Sequence, residues 1–73
     1  NNPASDELQL KLSGNSTYLF QLIDISGAII LQKTIDASDA SINVAALKSG
    51  LYYNQVISHQ DLTMFSGKVI ISR

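Results

Sequence analysis

Apolar and polar residues alternate along this chain in short runs broken by small polar clusters, a period of two rather than 3.6. Leu8, Leu10 and Leu12 alternate with Gln9 and Lys11, which predicts a half-buried first strand. Ser13-Gly14-Asn15-Ser16 is a turn cluster. Residues 17–24 form a second strand that is apolar on both parities, so both of its faces are covered for part of its length. Asp24-Ile25-Ser26-Gly27 predicts a tight connection. In it Asp24 bonds backbone N–H groups ahead of it and Gly27 supplies a positive φ. A third strand over 28–35 completes a hairpin, and its parity leaves the buried face open: Ile29, Leu31 and Ile35 share a face with Lys33, while Ile30 points the other way.

Residues 36–41 read as a polar loop, and Ile42 and Val44 alternate around Asn43 in a short fourth strand. Ala45-Ala46-Leu47-Lys48 is long enough for one helical turn and too short for a helix. Gly50 then marks the joint on which the chain turns, followed by a fifth strand over 51–58. His59-Gln60-Asp61 is a turn, 62–65 a sixth strand, Ser66-Gly67 another turn, and 68–73 a seventh strand carried by Val69, Ile70 and Ile71. Seven short strands at roughly 8–12-residue spacing predict an all-β fold, a small antiparallel β-sandwich of immunoglobulin-like appearance. Residues 1–6, with Pro3, are the lead-in, and 7–73 the sandwich.

With 73 residues the chain is one domain, and its 45% hydrophobic content belongs to a folded protein. Five basic and six acidic residues leave a net charge of −1 without the clustered basic face that nucleic acid demands. Cysteine is absent, which removes disulfides, thiolate nucleophiles and sulfur-ligated metals. Apolar runs such as 28–31 fall far short of the ~20 residues of a membrane span. The opening, Asn1-Asn2-Pro3-Ala4-Ser5-Asp6, reads as entry into a module cut from a longer protein.

Candidate chemistry is thin. His59 has only Asp61 near it in sequence, and two turn residues do not complete a nucleophile, base and orienting carboxylate. Asp24, Asp36, Asp39 and Asp61 fall in loops but lack the close carboxylate spacing of a Ca²⁺ site, and read as turn formers. Tyr52 and Tyr53 must point to opposite faces of a strand, so they cannot share one stacking platform with Tyr18. No phosphate-binding loop, nucleophile elbow or carboxylate pair is present, so neither an enzyme nor a cofactor is expected. The chain carries no acid after Asp61, and a closing Lys-Val-Ile-Ile-Ser-Arg strand reads either as an ordinary final strand or as an exposed edge able to pair with a partner.

Four motifs in order resemble the C-terminal sorting domain (type A) of cargo proteins exported by the type IX secretion system of Bacteroidota. They are Asn2-Pro3 leading into Leu8 and Leu10, "FQLIDISG" over 20–27, "INVAALKSGLY" over 42–52 and "FSGKVI" over 65–70. Asn1, Asn54 and the single terminal Arg73 depart from the usual pattern, which favours Pro, an aliphatic and a Lys-rich end. The resemblance implies an antiparallel β-sandwich carried behind a cargo domain in the same precursor. It also implies recognition from the periplasm by outer-membrane translocation machinery, cleavage by a sortase-like peptidase, and release or anchoring of the cargo at the cell surface.

On that reading Gly50, Tyr52, Lys68, Val69, Ile70, Ile71 and Arg73 are the recognition candidates, while Pro3, Asp24 and Gly27 set turns. The competing expectation is an extracellular immunoglobulin- or fibronectin-III-like binding module working through its loops. A third is a structural spacer.

Overall fold

A computed structural model describes residues 6–12, 16–60 and 62–72. Six strands follow in order: β1 (Glu7–Gln9), β2 (Tyr18–Ile23), β3 (Ile29–Ile35), β4 (Ser41–Asn43), β5 (Gly50–Ser58) and β6 (Met64–Ile71). They make two antiparallel sheets, a four-stranded one ordered β3-β2-β5-β6 and a two-stranded one pairing β1 with β4. The all-β sandwich read from the sequence is the fold that forms.

Strand parity now assigns the faces. Phe20 and Leu22 of β2, Ile35 of β3, Tyr52 and Val56 of β5, and Val69 and Ile71 of β6 point inward. Leu8, Ile42 and Val44 meet them from the small sheet, and all ten residues form one buried cluster. On β3 the inward face is the one shared by Leu31, Lys33 and Ile35. Lys33 has no room for a charge in that core. Its stem lies along the sheet while Nζ reaches out to donate to the Ser41 carbonyl (2.9 Å), with Asp39 at 3.4 Å.

The register between β2 and β3 slips between Leu22 and Ile23: Leu22 faces Leu31, but Ile23 faces Ile29. Ile30 is the extra residue of a bulge, which moves Ile29 off the inward parity and leaves it exposed. No described strand covers the outer face of the large sheet. Across its middle runs a polar row, Gln32, Gln21, Gln55 and Ser66, paired strand to strand, with the Gln21 amide donating to Gln32 at 3.2 Å.

Three expectations change. The first strand ends at Gln9 rather than continuing to Leu12, although Leu10 N–H still reaches the Ala40 carbonyl (3.0 Å) and both leucines pack against the core. The two closing strands are one, so six strands stand where about seven were expected. Ser66-Gly67 is no turn, because the nine-residue β5 offers a continuous ladder and holds Gln55 opposite Ser66 and Asn54 opposite Gly67. The chain reverses after Ser58, where a turn was expected: His59 and Gln60 are its described part, and Leu62 takes a left-handed φ of 60° and donates its N–H to the Ser58 carbonyl (3.0 Å). Such a φ costs a side-chain-bearing residue about 1–2 kcal/mol.

Ile42 is the main apolar residue of the short β4 and is 1% exposed, so it ties the small sheet to the large one. Ile42→Ala is expected to cost about 2–5 kcal/mol, read as a lower midpoint in urea unfolding followed by circular dichroism.

Candidate functional site

The recognition candidates fall into two structural groups joined by β5. Gly50 opens β5 with φ +155°, a conformation that side-chain-bearing residues rarely adopt, and so turns the chain from the small sheet into the large one. Two residues on, Tyr52 enters the core at 8% exposure. A buried phenol needs a partner for its O–H, and Tyr52 donates to the Lys48 carbonyl four residues upstream (2.7 Å). This is the geometry of the tyrosine corner found in immunoglobulin-like sandwiches. It pins the segment between β4 and β5, which is shaped by bonds from Leu47 N–H to the Val44 carbonyl and from Ala45 N–H to Asn43 Oδ1.

Lys68, Val69, Ile70 and Ile71 lie on β6, the edge of the large sheet, paired with Tyr53, Tyr52, Leu51 and Gly50 respectively. Val69 and Ile71 are buried core residues, whereas Lys68 and Ile70 face out. The four therefore divide by parity: two hold the strand in place and two are displayed. Pro3 and Arg73 lie outside the described residues. Met64, Phe65 and Ser66 extend the displayed edge and were missed by the sequence reading, because a Gly inside an apolar run reads as a turn. The available signal was the length of β5, which needs a partner of similar length.

Asp24 and Asp36 build matching turns. Asp24 Oδ1 accepts from the Ser26 hydroxyl (2.6 Å), Ser26 N–H (2.9 Å) and Ala28 N–H (3.1 Å). Gly27 follows with φ +93° and donates its N–H to the Asp24 carbonyl (3.0 Å). Asp36 Oδ1 accepts from the Ser38 hydroxyl (2.7 Å), Ser38 N–H (2.9 Å) and Asp39 N–H (2.9 Å). The serine hydroxyls first, and the backbone amides after them, hold both carboxyls below the usual aspartate range. The Gln9 amide does the same for Glu7. These carboxylates are occupied in shaping their own loops.

The other chemical candidates disperse. Among the described residues no group of three or more His, Asp or Glu is placed to hold a metal. His59 contacts Thr17 Oγ1 through Nδ1 (2.9 Å) and donates its backbone N–H to the Thr17 carbonyl (3.0 Å), which fastens the start of β2 to the end of β5; Asp61 lies outside the described residues. Beside it Ser16 bonds Gln60. Tyr52 is buried while Tyr53 is 40% exposed on the opposite face, and Tyr18 packs on the core side, so no aromatic platform forms. An open apolar hollow lies between Leu10, Leu12, Tyr18, Val56 and Phe65, with Asn54 at its wall. No described helix is long and apolar enough to cross a membrane.

Two measurements check this construction. Tyr52→Phe leaves the Lys48 carbonyl without its donor and is expected to cost about 1 kcal/mol, seen as a lower thermal midpoint with an unchanged fold. Asp24 and Asp36 have folded pKa values below the unfolded ones, so their contribution is complete above the ordinary aspartate value of about 3.9 and is lost as pH falls through and below it. The double variant Asp24→Asn/Asp36→Asn keeps the acceptors but cannot titrate, and is expected to lose less stability than the parent between about pH 5 and pH 2.

A family model described as the secretion system C-terminal sorting domain matches residues 2–72, which spans all four sequence motifs. No curated protein and no solved structure matches the chain. With the match running through both sheets, from the lead-in to the end of β6, the chain belongs to the family of C-terminal sorting domains of type IX secretion.

Proposed function

We propose that the domain is a non-enzymatic export signal, read by the outer-membrane type IX machinery from the periplasmic side while attached behind a cargo domain. Once across, the domain is cut off by a sortase-like peptidase and the cargo is released or fixed at the cell surface. The observation that carries this reading, beyond family membership, is the display on β6. An edge strand offers Lys68 and Ile70 to a partner while Val69 and Ile71 lock it to the core. Gly50 and Tyr52 support that display from β5 by fixing the start of the strand that β6 pairs with. The loops are poorer candidates for recognition, since Asp24 and Asp36 spend their acceptors on their own turns.

The test is an export assay with the 73-residue chain fused behind an inert periplasmic reporter. The reporter is expected in the medium or at the surface of a strain with type IX machinery and in the periplasm of a matched strain without it. Deleting residues 68–73 is expected to abolish export. Because Val69 and Ile71 are core residues, the paired change Lys68→Ala/Ile70→Ala is the sharper probe: it alters the display and leaves the core intact. Undiminished export of both variants would remove β6 from the recognition surface.

A further inference from the structure

Every second residue of β6 faces the core, but the burial of these residues falls away along the strand. Ile71 and Val69 are 1% and 2% exposed, whereas Phe65, on the same parity, is 59% exposed. The cause is the length of the lid. β1 and β4 have three residues each against nine in β5, so the small sheet covers one end of the large sheet and stops short of the other. Past the end of β1 the chain forms a side wall, with Leu10 and Leu12 packed against the core and Lys11 exposed. What remains is a hollow of about 320 Å³, floored by Tyr18, Asn54 and Val56 and walled by Leu10, Leu12 and Phe65. That volume lies at the small end of ligand sites, roughly 300–1,000 Å³, and has room for one short chain.

Two polar side chains qualify this apolar space. Asn54 takes an inward position between buried Tyr52 and Val56, a place where strand parity calls for an apolar residue. It stands opposite Gly67, which has no side chain to cover it. Its amide, with two N–H donors and an acceptor, forms no side-chain hydrogen bond among the described residues. A half-buried amide left in that state favours any ligand that supplies a partner. Lys11 stands exposed at the rim and has no ion-pair partner among the described residues. The described lining holds this one charge and no acid, so the complementary head is an anion.

The floor offers nothing to a peptide backbone. Ser58 N–H donates to the Thr63 carbonyl (2.9 Å), and the β5–β6 register is unbroken. Antiparallel ladders alternate, so Val56 bonds Phe65 and Asn54 bonds Gly67 through their own N–H and C=O groups. Leu10 N–H is likewise committed to the Ala40 carbonyl (3.0 Å). An extended segment finds no ladder to join along this floor, which favours a small molecule over a peptide.

We propose that the hollow binds a short fatty carboxylate. Its chain lies between Leu12, Val56 and Phe65, and its head is shared by the Asn54 amide and the Lys11 ammonium, whose flexible stem lets it swing across the rim. This inference goes beyond the export reading and does not rest on it, and its test reads binding alone.

The test is an amide-resolved NMR titration of the chain with octanoate below its micellar concentration, with octanol and octyltrimethylammonium as head-group controls. Octanoate is expected to shift the amides of Leu10, Leu12, Asn54 and Phe65 saturably, and to leave Gln21 and Gln32 on the outer face unmoved. It is expected to bind more tightly than octyltrimethylammonium. Lys11→Gln is expected to weaken octanoate about 2–5-fold and to leave octanol unchanged. Asn54→Ala is expected to weaken octanoate more than octanol. Phe65→Ala removes a wall and is expected to weaken both, with an unchanged circular dichroism spectrum because Phe65 is exposed. Shifts that do not saturate would overturn the proposal. So would equal binding of the anionic and cationic amphiphiles, or octanoate binding untouched by Lys11→Gln: the hollow would then be an apolar dent open to any apolar group, a side chain of another protein included.

Discussion

The two-stranded sheet cannot stand by itself. β1 and β4 have three residues each and, among the described residues, pair only with one another, far below what an isolated hairpin needs to persist in water. They hold their places because Leu8, Ile42 and Val44 are buried against Phe20, Leu22 and the inward residues of β5 and β6. The large sheet depends on them in turn, since without that lid its apolar face would meet water. Much else in the structure serves this contact. Tyr52 and Gly50 control the return from lid to sheet, the Asp36 turn controls the departure, and Lys33 reaches past the core to the Ser41 carbonyl at the start of β4.

The all-β class, the hairpin between β2 and β3, the Asp24-to-Gly27 turn region and the central place of the stretch around Gly50 and Tyr52 were legible in the sequence. Each rests on a local signal: alternation, an Asx residue, or a glycine between strands. What was not legible depended on partners distant in sequence. The period of two cannot say that Leu10 and Leu12 pack without a ladder, because the length of β1 is fixed by the three residues of β4. Nor can it say that Ser66-Gly67 continues a strand, since that is decided by Asn54 and Gln55 across the sheet. The inward face of β3 was open for a similar reason: Ile30 is a bulge residue, and bulges shift parity without a local marker. Of the recognition candidates, the sequence identified the strand but could not separate the residues that anchor it, Val69 and Ile71, from those it displays.

Membership of the sorting-domain family places the interest of this fold in its surface rather than in a pocket. A signal of this kind needs a shape that stays constant whatever protein precedes it. A sandwich whose turns are closed by their own Asp and Ser side chains meets that need, because its loops require nothing from a neighbour. The edge strand is the exception. It is paired with β5 on one side and has no described strand on the other, and Lys68 on the outer face supplies the charge that edge strands use to discourage indiscriminate pairing.

The glutamine row on the open face has a bearing on colloidal behaviour. Gln32, Gln21, Gln55 and Ser66 lie between Ile23 and Tyr53 on one side and Leu19, Ile57 and Met64 on the other. Without that row the exposed sheet would carry one continuous oily area large enough to stack on another sheet. Amides and a hydroxyl keep a hydrated band across it, and because none of these groups titrates, the band persists alike in acidic and alkaline surroundings.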